Sequence, residues 1–297
     1  MSASRDHYSY EHYADALVAE RFDALRFGGP IGQYLLDTQQ SLLVAALAPI
    51  DGKLVLDVGT GTGRAALGLT DAGARVIGLD YSAEMLRVAR SRASVGKARI
   101  PLGRADAHAL PIADRAVDAA VSLRVLMHAI DWRQCVAELC RVARWRVVVD
   151  FPAKASLAAL ESAARRVRKS LGRPVEAYRV ISAGEMRAAF AAHGFHDVRT
   201  QRQFVLPIAL HKAIGRLGVT RTIEGTLAAV GLLRAFGSPV TMVFAREESD
   251  SGSGRLRVED ASAGQAAGRA SESLQPAPGV GPRPFEIGGA PRATKKR

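Results

Sequence analysis

The chain has 297 residues, 48% of them hydrophobic and 24% charged, which suits one α/β domain with an insertion or a tail. Such a length buries a core without disulfides or metal, and the two cysteines, Cys135 and Cys140, come with no spaced cluster of ligand-type residues. The net charge of +12 invites an anionic partner, whether nucleic acid, an anionic membrane or an acidic substrate, although the chain is rich in Ala and Arg throughout and a general compositional bias accounts for the charge equally well.

The opening stretch MSASRDHYSYEHYADALVAERFD is polar and aromatic and has no apolar signal core. No run approaches the ~18 apolar residues of a membrane span, so a cytoplasmic location is expected. Residues 1–48 read as an N-terminal helical cap segment. Its first part crowds Tyr8, Tyr10, Tyr13, Phe22 and Phe27 together, and its second places Leu35, Leu36, Leu42, Leu43 and Leu47 at helical spacing before Pro49 and Gly52.

Strands and helices then alternate. Residues 54–59 (LVLDVG) have the pattern of a short buried strand, and a helix over 64–72 follows, with Gly73 as its stop. Residues 75–80 (RVIGLD) form a second strand, and Ser82 caps a helix running to about residue 93. Third and fourth strands lie within 98–106 and 116–124, a helix over 132–143, and a fifth strand over 145–152. An Ala/Arg helix carrying Arg165, Arg166, Arg168 and Lys169 is expected over 155–171, a capped helix over 182–195, and a sixth strand over 196–207. Residues 208–236 read as an amphipathic helical insertion and 238–246 as the last strand. The expectation is a Rossmann-like α/β fold over residues 49–246, a seven-stranded, mostly parallel sheet with helices on both faces. From residue 247 to 297 Gly, Ser, Ala and Pro dominate, and a disordered tail ending in Lys295-Lys296-Arg297 is expected.

The strongest chemical signal is Asp57-Val58-Gly59-Thr60-Gly61-Thr62-Gly63, set between a strand and a helix. Glycine permits the sharp turn and the close approach of backbone to a ligand at the carboxyl end of the first strand. A dinucleotide site offers helix N–H groups to a pyrophosphate there, and a carboxylate alongside would repel it. Residues 61–66 nevertheless fit G-x-G-x-x-A, so a dinucleotide reading stays open. Asp80 ends the second strand, about 20 residues past the glycines, where an acid accepts from the two hydroxyls of a ribose.

These motifs resemble, in order, those of the class I S-adenosylmethionine (SAM)-dependent methyltransferases, in particular the type 11 group that includes enzymes acting on ubiquinone and menaquinone. The glycine stretch is similar to that family's D/E-x-G-x-G-x-G, residues 80–86 to its D-x-S-x-x-M-L, and Gly103–Asp114 to its G-D-A-x-x-L-P-F-x-D, with Ile112 and Val117 where phenylalanines are usual. The resemblance covers roughly residues 50–152 and implies a last strand that runs antiparallel. It implies SAM as cofactor, held by Asp57, Gly59, Thr60, Gly61 and Gly63 near its ammonium and sulfonium groups and by Asp80 and Tyr81 at the ribose. Met85, Asp106 and the Ala107 backbone would serve the adenine. Leu123 and Arg124 would lie in the loop between cofactor and acceptor, where His128 is the candidate general base.

The expected reaction is methyl transfer to an oxygen, carbon or nitrogen of a small-molecule acceptor entering beneath the N-terminal helices and the 208–236 cap. Two alternatives stand beside it: a quinone or phospholipid-headgroup methyltransferase at an anionic membrane surface, and a SAM-binding regulatory protein without catalysis. A nucleic-acid partner is disfavoured, because no recognisable RNA-binding module is present. No metal is expected.

Overall fold

The computed structural model describes residues 13–247 except 97, 158, 160, 161, 164 and 166–177. Two helices lead in, α1 (Ala16–Phe27) and α2 (Gly29–Leu47). They are followed by β1 (Leu54–Val58), α3 (Arg64–Asp71), β2 (Arg75–Asp80), α4 (Ala83–Val95), β3 (Leu102–Arg104) and β4 (Val117–Leu123). Next come α5 (Trp132–Val142), β5 (Ala143–Phe151), α6 (Ala183–Ala191), β6 (Phe195–Phe204), α7 (Ile208–Ile214), α8 (Leu217–Ala229), α9 (Leu232–Phe236) and β7 (Ser238–Arg246).

The seven strands form one sheet in the order β3-β2-β1-β4-β5-β7-β6. The run from β3 to β5 is parallel, and β7 is antiparallel to both of its neighbours, β5 and β6. Strand order reverses between β1 and β4, so their carboxyl ends diverge into a crevice, which is where open α/β sheets place ligands.

The near-continuous apolar runs of the central strands follow from helices covering both faces. Successive side chains alternate between two cores. Val55, Val76, Ala119, Val121, Val148 and Val243 pack with Leu43 and Leu47 of α2 and Leu69 of α3. Their neighbours Leu56, Val58, Ala120, Val147, Val149 and Phe244 pack with Val136 and Leu139 of α5 and Met186 and Phe190 of α6. Both cysteines lie on α5 in the second core, free and buried.

Local chemistry sets the helix boundaries. Ser82 accepts from Met85 N–H at the start of α4, Asp131 caps α5, and Ser182 with Glu185 closes a capping box on α6. Helix α3 stops one residue short of the sequence expectation, at Asp71 with Ala72 as cap. The third strand shrinks to three residues. The insertion expected over 208–236 is helical and consists of three helices, divided where the chain turns through left-handed glycines at Gly215 and Gly231. Most of the helix expected over 155–171, and the tail beyond Glu247, lie outside the described residues. Among those described, no helix is long and apolar enough to cross a membrane.

Candidate functional site

The crevice at the β1/β4 reversal deepens into a cleft of about 1040 Å³, its open mouth included. The turn from β1 into α3 forms its floor. Gly59 has φ +72°, and a Cβ there would sit 2.1 Å from Val125 Cγ2, so only glycine lets the β4 loop close against the turn. The Gly59 and Thr60 amides both donate to the Leu79 carbonyl, at 2.7 and 2.9 Å, which stitches the turn to the end of β2.

Asp80 completes the stitching. Its Oδ2 accepts from Gly61 N–H at 2.8 Å and its Oδ1 from Ser82 N–H at 2.8 Å. Burial pushes its carboxyl above the ordinary range, and these amide bonds oppose the shift. The Tyr81 amide also stabilises the carboxylate, and Asp80 still lines the cleft with acceptor capacity to spare.

Thr60, Gly61, Tyr81, Met85, Asp106, Ala107, Leu123, Arg124 and His128 line the cleft together with Gly59 and Asp80, so the sequence-predicted set converges. Asp57 and Gly63 do not. Asp57 is buried behind the turn, where its Oδ2 accepts from Thr60 Oγ1 at 2.7 Å. Burial raises its carboxyl to about 6, against the Thr60 bond that lowers it and with a smaller push from Asp80. Gly63, at φ +79°, is the cap residue of α3.

Asp106 sits in a tight polar turn. Its Oδ1 accepts from the His108 amide at 2.9 Å and meets His108 Nδ1 at 2.6 Å. His108 Nε2 accepts from the Asp131 amide at 3.2 Å, which places the imidazole proton on Nδ1, facing Asp106. His108 thus orients the carboxylate. Arg124 has φ +59°, unusual for a residue with a side chain. Its amide donates to Asp150 Oδ1, and Asp150 Oδ2 accepts from Gln39 Nε2 of α2 at 3.0 Å. His128 is buried and lines the cleft, edge-on to Tyr13 with ring centroids 5.9 Å apart.

Several lining residues had no assigned role in the sequence. Tyr13, Phe22 and Arg26 come from the N-terminal segment, whose aromatic crowding was visible but without a motif. The Tyr13 carbonyl accepts from Ser82 Oγ at 2.5 Å, anchoring that segment beside Asp80. Arg64 follows the glycines directly and was legible only as the first residue of a helix.

Comparisons with known proteins agree with this geometry. Residues 56–146 match the family model described as a methyltransferase domain. A demethylmenaquinone methyltransferase of Thermobifida fusca (strain YX) is 36% identical over 128 residues, 43% of this chain and 53% of that protein. The chain therefore spans about half the length of this curated relative. Among solved structures, magnesium protoporphyrin IX methyltransferase from Synechocystis PCC 6803 superposes with a TM-score of 0.58 at 18% identity, covering 80% of this chain and 98% of that one. The chain has the class I methyltransferase fold. The [4+2]-cyclase SpnF shares that fold, with a TM-score of 0.51 and 21% identity over 71% of this chain and 81% of its own, so the class I fold does not by itself fix a reaction.

The shifted carboxyl of Asp57 gives a testable consequence. An acid whose folded pKa is about 6 against an ordinary 3.8 costs nothing below pH 4 and its full penalty, about 3 kcal/mol, above pH 6. The unfolding free energy of Asp57→Asn minus that of wild type is expected to rise by about that amount between pH 4 and 7 in urea titrations. A difference independent of pH would show that Asp57 titrates normally.

Proposed function

We propose that the chain is a SAM-dependent methyltransferase acting on a small-molecule acceptor. The observation that carries this reading is Asp80. Its carboxylate takes up the Gly61 amide, a group that a dinucleotide site would turn toward pyrophosphate, and it lines the cleft where a ribose hydroxyl could donate to it. The match of residues 56–146 to a methyltransferase domain and the demethylmenaquinone methyltransferase relative support it.

The residues fit the cofactor. Asp80 and Tyr81 would hold the ribose, and Met85 the adenine face. Asp106, oriented by His108, would accept from the adenine amino group, with the Ala107 amide beside it. Gly59, Thr60 and Gly61 would leave room for the methionine part, shaped from behind by Asp57 and Gly63. When bound, SAM supplies an activated methyl group on a sulfonium. The chain's part is then to align an acceptor with that methyl and to exclude water. Residues 49–246 would form the catalytic domain, with 1–48 and the 208–236 helices as its cover. Leu123 and Arg124 would separate cofactor from acceptor. His128, at the N-terminal side of the cleft, would take the proton of an acceptor hydroxyl or acidic carbon.

A second reading places the acceptor at a membrane surface. It is supported by exposed Leu17 and Leu25 on α1 and exposed Leu210, Val219, Val230 and Phe236 across residues 208–236. Lys212 Nζ donates to the Leu25 carbonyl at 2.7 Å and joins the two groups, with Arg21, Arg216, Arg221 and Arg234 exposed nearby in sequence. The relative's name, a demethylmenaquinone methyltransferase, points the same way.

In isothermal titration the wild type is expected to bind SAM, and Asp80→Ala to lose about 100-fold or more in affinity through two charge-assisted hydrogen bonds. Binding of NAD in place of SAM would overturn the reading. For an acceptor that must lose a proton, His128→Asn is expected to lower kcat by about 100-fold and leave SAM affinity unchanged. An unchanged kcat would remove His128 from the reaction, and SAM binding without turnover across broad acceptor pools would favour a regulatory protein. On liposomes containing phosphatidylglycerol, the membrane reading predicts cosedimentation that weakens with salt and with Leu25→Glu. A chain that stays in the supernatant at low salt would end that reading.

A further inference from the structure

Tyr81 is the first residue beyond β2, half-buried, and it lines the cleft between Asp80 and the Ser82 cap of α4. A ligand that must order a loose side chain before packing on it loses affinity, and it loses less when the protein has ordered that side chain beforehand. A brace for Tyr81 comes from the neighbouring strand.

Strand β3 is the edge of the sheet and runs parallel to β2, with Arg104 in register with Asp80. The Ala105 amide donates to the Asp80 carbonyl at 3.0 Å, which keeps the two chains side by side to the end of the pairing. From that position Arg104 Nε donates to the Tyr81 carbonyl at 2.9 Å. The same guanidinium lies over the Tyr81 ring, its carbon 5.0 Å from the centroid. One side chain therefore holds both the backbone and the ring of a single residue. Arginine suits this double contact, because its rigid planar head carries donors along its edge and a cationic face.

The two partners differ in where they sit. Tyr81 lines the cleft, whereas Arg104 is exposed and does not. The arginine thus braces the tyrosine from outside. Tyr81 is tied on its other flank as well, where its amide stabilises the Asp80 carboxylate that holds Gly61 and Ser82. A shift of Tyr81 is felt at the wall of the cleft and at the carboxylate beside it.

We infer that Arg104 is a positioning residue for the cofactor: by fixing Tyr81 it makes a rigid wall for the nucleoside part of SAM without lining the cleft itself. The inference rests on the methyltransferase reading and deepens it by adding a residue that touches no ligand. An exposed charge acts weakly on a ligand at a distance, because solvent and salt screen it. The directed contacts with Tyr81 are what give Arg104 its role.

The test uses the full chain and two probes. S-adenosylhomocysteine is titrated calorimetrically, and 5′-methylthioadenosine, which keeps the nucleoside and the sulfur but lacks the amino-acid part, is measured by displacing it. Arg104→Gln is expected to weaken both probes by the same factor, about three- to tenfold, and to leave the urea midpoint unchanged because the side chain is exposed. In a Tyr81→Leu background the same substitution is expected to change neither affinity by more than about 1.5-fold, since the residue it acts through is gone. A second readout does not depend on the folding of Tyr81→Leu. In ligand-free chain labelled with 13C-tyrosine, the Tyr81 ring signal, identified by its loss in Tyr81→Phe, is expected to move in Arg104→Gln.

An equal loss in the Tyr81→Leu background, a loss confined to S-adenosylhomocysteine, an unmoved ring signal, or no loss at all overturns the inference and leaves the methyltransferase reading intact. A wild type that binds neither probe overturns both.

Discussion

One half-buried carboxylate organises the ligand-binding end of the sheet. Asp80 accepts amide protons from Gly61 in the β1–α3 turn and from Ser82 at the start of α4. Two parallel strands thereby end in a single polar knot, and the amides of Gly59 and Thr60 close it on the Leu79 carbonyl. Without that carboxylate the turn would expose unpaired N–H groups, each costly where water is excluded. The crevice created by strand order becomes a site because this knot fixes its floor. Tyr13 reaches the same knot through Ser82, so the N-terminal cover depends on it as well.

A second carboxylate plays the matching part on the other side of the reversal. Asp150, fully buried near the end of β5, holds the Arg124 amide and the Gln39 side chain. It keeps the β4 loop in a left-handed conformation and ties it to α2. Burial raises its carboxyl, and Arg124 opposes that shift. The loops around the cleft are thus braced by two acids, Asp80 through backbone amides and Asp150 through an amide and a side chain, which is how a loop-built site acquires rigidity.

Much of this was legible in the sequence. The apolar runs of β1, β4 and β5 carry the signature of strands covered on both faces, and Gly59, Gly61 and Asp80 mark the crevice. Ser82 and Gly73 read correctly as a cap and a stop because their chemistry is local. What sequence did not show are the long-range partnerships. Nothing near Asp150 in sequence announces that it serves Arg124, 26 residues earlier. Arg64 gains meaning only when Phe27 brings it beside Arg124. The 208–236 region is helical, as its pattern reads, and the left-handed glycines Gly215 and Gly231 set the breaks between its three helices, which periodicity alone does not show.

Helix α1 is pinned from three directions. The Tyr13 carbonyl just before it is held by Ser82, Asp23 in its middle by Arg64, and the Leu25 carbonyl near its end by Lys212. These restraints come from α3, from the residue capping α4 and from α7, elements that belong to different layers of the molecule. Moving this helix aside means parting contacts to three elements at once, which makes the cover of the cleft a part of the fold rather than an appendage to it.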